Sequence, residues 1–314
     1  MSRQRPHPLT SATPGSALAA ASGADEAAAA ANERAEAVAR RDVRRLLGTS
    51  GLTPRKALGQ HFVTDQNTLR RIARLSGVGP GDHVIEVGAG TGSLTVALAD
   101  QGAAVTAVET DPNLVPILRS VCGSRPVRII EADALRLDWD TALSTGKSWV
   151  LAGNLPYNIA ARLIIDVLEE VPSVARIVVL VQTEVAERLA AKVGDPSYSA
   201  VSVKASYWAA AELRGTVPPT VFYPRPHVGS SLVELVRRPS PAVSQAAVPY
   251  QFLFKLVKAG FAQRRKMLRR SLSGLVTPPA FESSGISPHL RAEDLDITTW
   301  GILAACAIQT SRIT

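Results

Sequence analysis

From Leu52 to about Arg238 the chain alternates between short apolar runs and stretches of helical spacing. The apolar runs predict five strands, at His83 to Val87, Ala104 to Glu109, Val127 to Glu131, Trp149 to Ala152 and Ile177 to Val181. Helical spacing between them predicts helices from about Ser93 to Asp100, Leu114 to Val121 and Ala160 to Leu168. Strands separated by helices imply a parallel sheet covered on both faces. Further on, Val201 to Ala205 and Ser231 to Val236 read as a hairpin-like pair with a long connection carrying Pro218, Pro219, Pro224 and Pro226. Beyond Pro239 and Pro241 the spacing of Phe254, Val257, Phe261, Leu268 and Leu272 is that of one continuous helix face. The expected architecture is a doubly wound α/β domain over residues 51–238, followed by a small helical C-terminal domain over residues 239–314.

Residues 1–50 read differently. Met1 to Gly23 is rich in Ser, Pro, Ala and Gly and is expected to be disordered. Asp25 to Leu47 is alanine-rich, with Glu33, Arg34, Glu36, Arg40 and Arg41 interleaved, and predicts a solvated helix. Asp25 and Glu26 interrupt what would have to be a uniformly apolar core if this were a secretory signal. The bland reading is a dispensable extension.

Composition narrows the class. Hydrophobic residues make up 46% of the 314, enough for a sizeable core, and no apolar run approaches the roughly 20 residues that span a bilayer. Cys122 and Cys306 fit neither a metal spacing nor a disulfide framework, which points to a reducing cytoplasm and no metal. The net charge of +8 favours a polyanionic partner, because Lys and Arg contacts to phosphate release counterions.

The strongest local chemistry is V-I-E-V-G-A-G-T-G from Val84 to Gly92. A strand runs into Gly88, Gly90 and Gly92 and a helix opens immediately afterwards, so backbone can approach a ligand where a Cβ would collide. Glu109 closes the next strand, where an acid can bond both hydroxyls of a ribose. Nicotinamide-binding proteins and methyltransferases share this pair, so alone it indicates an adenosine-containing cofactor. Asp133, ending the third strand in E-A-D-A-L, is placed to accept a bond from the cofactor's adenine amino group.

Gly153-Asn154-Leu155-Pro156-Tyr157, at the end of the fourth strand, separates the two classes. A dehydrogenase needs no such segment. An amino-methyltransferase does, because the lone pair of an adenine N6 is delocalised into the ring and the amine is a poor nucleophile. Accepting both N–H bonds, from the Asn154 side-chain oxygen and a backbone carbonyl held by Pro156, steers the nitrogen toward tetrahedral geometry. Tyr157 offers a face on which an extruded base can stack. The bland alternative is a strand ending in an Asn-Pro turn.

These motifs together resemble the ribosomal RNA adenine dimethyltransferases, most closely the small-subunit branch. The likeness runs from about Arg55 to Ser273 and includes K-A-L-G-Q-H-F-V (Lys56 to Val63), E-V-G-A-G-T-G (Glu86 to Gly92), G-N-L-P-Y-N-I (Gly153 to Ile159), F-Y-P-R-P-H-V (Phe222 to Val228) and F-A-Q-R-R-K-M-L (Phe261 to Leu268). The resemblance implies a class I methyltransferase, Rossmann-like fold with S-adenosylmethionine as cofactor, held by His61, Val63, Gly88, Gly90, Glu109, Asp133 and Asn154. It implies Asn154, Leu155, Pro156 and Tyr157 as the catalytic segment. It further implies that two adjacent adenines near the 3′ end of 16S rRNA, in a pre-assembled small subunit, each receive two methyl groups. Four cofactor molecules would then be consumed per subunit, by a monomer without a membrane partner. The sequence departs from the family pattern at His61, where Asn is commoner, at Gly229, where Asp is common, and at Ser199, where Gly usually follows the tyrosine.

Between Phe254 and Leu272 there are seven basic residues and no acid: Lys255, Lys258, Arg264, Arg265, Lys266, Arg269 and Arg270. Isolated solvated helices interleave charge signs, so the absence of acids favours phosphate contact over a bland solvated face. Arg264, Arg265, Lys266 and Arg269 are the expected RNA contacts, positioning the substrate without reading its sequence. Two rival functions remain. A related branch methylates one adenine of large-subunit RNA and confers macrolide resistance; G-Q before H-F-V, and N-L-P-Y rather than N-I-P-Y, favour the small-subunit branch. The other rival is an assembly checkpoint whose main role is binding.

Overall fold

The computed structural model describes residues 43–143 and 148–311. The disordered start and most of the alanine-rich helix expected for the N-terminal extension lie outside the described residues. In chain order the elements are α1 (43–49), β1 (Phe62–Val63), α2 (Gln66–Ser76), β2 (His83–Val87), α3 (Ser93–Ala99) and β3 (Ala104–Glu109). Next come α4 (Val115–Cys122), β4 (Val127–Glu131), α5 (Trp139–Ala142), β5 (Trp149–Asn154), α6 (Ala160–Glu170) and β6 (Val174–Gln182). The domain closes with α7 (Thr183–Ala190), α8 (Ala200–Trp208), β7 (Ala209–Val217), β8 (Phe222–Tyr223) and β9 (Ser230–Arg237). Helices α9 (Tyr250–Ala262), α10 (Leu268–Ser271), α11 (Pro278–Ser284) and α12 (Ile297–Ser311) follow.

The main sheet has the order β4-β3-β2-β5-β6-β9-β7. Its first five strands are parallel, and β9 runs antiparallel to both β6 and β7. Strand side chains alternate between two cores. Val84 faces a cluster holding Leu69 and Leu98, whereas Ile85 and Val87 face one holding Leu163 and Ile164. Burial on both faces explains why these strands read as continuous apolar runs. All five predicted parallel strands are present, two of them longer than expected: β5 extends to Asn154, and β6 covers Val174–Gln182.

Two expectations fail. Val201 to Ala205 is not a strand but lies within α8. Ser199 sits at its N-cap, where the backbone amide donates to Ser202 Oγ at 3.0 Å and satisfies one of the orphan donors of a helix start. The partner of β9 is β7, whose Ala-Ala-Ala-Glu-Leu-Arg composition suits a helix but which is held extended by its ladder to β9. Strand β7 forms one edge of the sheet, opposite β4. It carries an irregularity between Leu213 and Gly215, and the Arg71 guanidinium donates to the Arg214 carbonyl there.

The single basic helix is also two helices. Helix α9 ends at Ala262, and α10 begins only at Leu268. Between them the backbone turns toward residues 288–291: Met267 bridges to Arg291, and the Leu268 amide donates to the Leu290 carbonyl at 2.7 Å. These bonds replace helix continuation and still let Leu268 and Leu272 bury completely. The C-terminal core gathers Leu253, Leu256 and Trp300, and it also takes Tyr198, Val203 and Tyr207 from before the expected domain boundary. Among the described residues, no helix is long and apolar enough to cross a membrane, and no group of His, Cys, Asp and Glu could hold a metal ion.

Candidate active site

The carboxyl ends of β2, β3 and β5 open onto a cleft. Ligand clefts in open parallel sheets form at this edge, where strand order reverses. Here the reversal falls between β2 and β5. Of the residues expected to hold the cofactor, His61, Val63, Gly88, Gly90, Glu109 and Asn154 all line this cleft. Asp133 does not. It is exposed beyond the end of β4, where its carboxylate accepts the Leu135 amide at 3.0 Å.

Gly90 has φ of +57°, and its amide donates to Glu109 Oε2 at 2.7 Å. A side chain here would strain the turn and would also meet the Phe62 ring. Glu109 Oε1 accepts the Asp111 amide at 2.8 Å. The carboxylate is therefore held in one orientation by two backbone donors, each oxygen keeping a lone pair for a ligand. Burial nevertheless raises its pKa, an effect those amides only partly offset.

Gly153 lets β5 approach β2, since a Cβ there would lie 2.6 Å from the Val87 carbonyl oxygen. That approach sets Asn154 against the segment before β1. Asn154 Nδ2 donates to the His61 carbonyl at 2.6 Å, while the Asn154 Oδ1 atom is buried with no hydrogen-bond partner. An unpaired buried acceptor costs about 1–3 kcal/mol, so its presence at a cleft marks a place for an incoming donor. The Pro156 carbonyl accepts the amides of Ile159 and Ala160 at the start of α6. The Leu155 carbonyl, on the residue before the proline, is thus the candidate second acceptor.

The Tyr157 hydroxyl shares a 2.7 Å hydrogen bond with Ser230 Oγ, and its ring stacks on His61 at 5.5 Å and 22°. His61 Nδ1 lies 2.8 Å from the Pro224 carbonyl; since a carbonyl only accepts, Nδ1 carries the proton. The segment bearing His61 is tied to the stretch leading into Ser230, the first residue of β9, by β1, which pairs antiparallel with β8. At Gly229 an added Cβ would meet only Thr183 Oγ1, at 3.3 Å, and the Gly229 carbonyl accepts the Thr183 amide at 3.0 Å.

Two acids gained no role from the sequence. Glu86 is buried in the cleft wall, accepts a hydrogen bond from Thr95 Oγ1, and has its pKa pushed up to about 8 by burial, with Glu109 adding to the rise. The signal was available, because Glu86 is the one ionisable group inside the otherwise apolar run V-I-E-V. Asp111 is 3% exposed and accepts bonds from Gln60 and Asn113. Nothing in the sequence pattern links Asp111 to Gln60.

Of the basic residues, Lys255 and Lys258 lie in α9, and the other five occupy the turn after it and α10. Arg264 donates to Glu293 at 2.6 Å and to the Pro196 carbonyl at 3.0 Å. An acid absent from the local sequence is thus supplied by a distant segment. Arg265, Lys266 and Arg269 are exposed.

A family model described as ribosomal RNA adenine dimethylase matches residues 51–304. The chain is 43% identical over 274 residues to the ribosomal RNA small subunit methyltransferase A of Thermobifida fusca, covering 84% of this chain and 93% of that protein. It is 42% identical to the protein of the same name from Streptomyces griseus, covering 84% and 92%. Among solved structures, the 23S rRNA methyltransferase ErmE is similar at 26% identity with a TM-score of 0.64, covering 79% of this chain and 100% of that one. A dimethyladenosine transferase from Plasmodium falciparum, at 24% identity and a TM-score of 0.65 over 76% and 94%, shares the fold.

Proposed function

Since this chain belongs to the ribosomal RNA adenine dimethylase family, we propose that it dimethylates the N6 amines of two adjacent adenosines near the 3′ end of 16S rRNA in a pre-assembled small subunit. It is an S-adenosylmethionine-dependent rRNA adenine methyltransferase on a class I methyltransferase fold. In this reading it acts as a monomer in the cytoplasm, with residues 51–238 as the catalytic domain and residues 239–314 helping to hold RNA.

The cleft fits the cofactor. The held carboxylate of Glu109 would take the ribose hydroxyls, Gly88 and Gly90 would admit the chain close to the backbone, and His61 and Val63 would close the near side. Asp133 would meet the adenine amino group at the outer end of the sheet edge. When bound, the cofactor supplies an electrophilic methyl group on a sulfonium sulfur.

The protein's part is to shape the nucleophile. Asn154 Oδ1 accepts one N6–H and the Leu155 carbonyl the other, turning the lone pair out of the ring plane. Pro156 fixes the turn that holds this carbonyl. Tyr157, anchored by Ser230 and covered on one face by His61, offers its other face to the flipped base. No strong base is required, because the alkylated ammonium loses its proton to water. Arg265, Lys266 and Arg269 contact phosphates, while Arg264 holds the turn through Glu293 and adds charge beside them.

The observation that carries this reading is the unpartnered Asn154 Oδ1 at the end of β5. The test is incubation with radiolabelled S-adenosylmethionine and small subunits from cells lacking this modification. Label should appear as dimethyladenosine in small-subunit RNA, and Asn154→Ala should slow transfer by about 10²–10³-fold. Label confined to naked large-subunit RNA would overturn the small-subunit assignment.

A further inference from the structure

In the segment from Arg55 to Val63, residues Leu58 to Val63 form one wall of the cleft. Beyond it, Asp65 starts α2 by accepting the Thr68 amide at 2.7 Å, which fixes the exit of the segment. Its far side is pinned by β1–β8 pairing and by the His61 carbonyl that Asn154 holds. Its near side is pinned by side chains. The Arg55 amide donates to Gln60 Oε1 at 2.8 Å, and Gln60 Nε2 donates to Asp111 Oδ2 at 2.9 Å. Arg55 Nη1 lies 3.6 Å from Asp111 Oδ1. Gln60 thus has both ends of its amide engaged in one geometry.

Asp111 is placed to transmit this contact. Its own amide donates to Glu109 Oε1, so the residue that receives the strap also orients the carboxylate assigned to the cofactor ribose. Burial acts to raise the Asp111 pKa, but the bonds from Gln60 and Asn113 and the charge of Arg55 outweigh it and leave the carboxyl below its ordinary value. The ionised acceptor makes the Gln60 bond a charge-assisted one, among the stronger kinds in proteins.

We propose that Gln60 and Asp111 are positioning residues forming a latch, which closes the strap over the ribose side of the cleft and retains the cofactor. The inference rests on the cofactor assignment above. It adds residues that touch neither the methyl group nor the adenine amine, so the latch sets cofactor affinity and leaves the chemical step to Asn154.

The chemistry of the pair provides its own control. Gln60→Glu keeps an acceptor for the Arg55 amide but sets two carboxylates face to face. Asp111→Asn sets an amide NH₂ against the Gln60 NH₂. The double variant Gln60→Glu with Asp111→Asn restores one donor opposite one acceptor. The probe is S-adenosylhomocysteine, its Kd measured by calorimetry, alongside kcat and KM for S-adenosylmethionine on small subunits. Each single variant should raise the Kd and the KM about tenfold, the effect expected for losing one hydrogen bond to a charged group, with kcat within about twofold. The double variant should return to within about threefold of the parent. The latch is overturned if the singles bind like the parent, if the double variant binds no better than the worse single, or if kcat falls while Kd holds. Failure of the parent protein to bind S-adenosylhomocysteine at all would overturn the cofactor assignment, and the latch with it.

Discussion

The cleft edge and the basic turn after α9 both present ionisable groups, but they hold them in opposite ways. Glu86, Glu109 and Asp111 are 1%, 5% and 3% exposed, and each is bound by neighbouring hydroxyl, amide or backbone donors. Arg265, Lys266 and Arg269 stand exposed on a turn and a short helix. At Glu86 and Glu109 desolvation dominates and raises the pKa. At Asp111 the bonds from Gln60 and Asn113 and the charge of Arg55 outweigh it, and salt in the solvent screens all three weakly. For the cations, the surrounding counterions dominate, and their strength as phosphate ligands depends on ionic strength. In the proposed function, then, the small cofactor is met by fixed geometry and the large polyanion by adjustable charge.

The contrast is broken most severely by removing the charge. A triple variant, Arg265→Ala, Lys266→Ala and Arg269→Ala, should weaken RNA binding by about tenfold or more at low salt. It should also reduce the slope of log K against log salt by about two, each lost phosphate contact to single-stranded RNA contributing about 0.7. Cofactor affinity should not change. An unchanged slope would move the RNA surface elsewhere on the molecule.

A smaller effect sharpens the other side. Glu86 has its pKa raised in the folded state to about 8, so between the unfolded carboxyl value and about pH 8 the unfolded chain ionises while the folded chain stays protonated. Its contribution to stability is therefore complete at low pH and is lost as pH rises toward 8. Thermal denaturation from pH 5 to pH 8 should show Glu86→Gln losing less Tm than the parent, by about 4 °C or more. Parallel curves would mean that Glu86 is ionised in the fold. The smallest effect is expected at Arg264. Its bond to Glu293 is half exposed, so Arg264→Ala should cost no more than about 1 kcal/mol in urea unfolding and change the salt slope less than Arg265→Ala does.

The same contrast explains what the sequence revealed. The central parallel strands were legible because double burial leaves apolar runs, and the cleft residues were legible because Gly88, Gly90, Glu109 and Asn154 sit at strand ends within contiguous motifs. What could not be read depends on partners far along the chain. Val201 to Ala205 is as apolar as a strand, and its helical state follows from the Ser199–Ser202 start and the two cores it packs between. The alanines of β7 are extended only because β9 lies beside them. The break at residues 263–267 follows from backbone bonds to residues 288–291, and the partner of Arg264 is 29 residues away. The Gln60–Asp111 contact joins positions 51 apart and left no periodic trace.

Strand β7 also bears on how copies of this protein meet one another. An open sheet edge offers unpaired amides and carbonyls to any extended peptide, the usual seed of ordered aggregation. Here that invitation is interrupted at the middle of the strand. The ladder is interrupted between Leu213 and Gly215, the Arg214 carbonyl is already occupied by the Arg71 guanidinium, and the paired charges Glu212 and Arg214 project beside it. The outer strand is thereby kept from templating a sheet with a second copy of the chain.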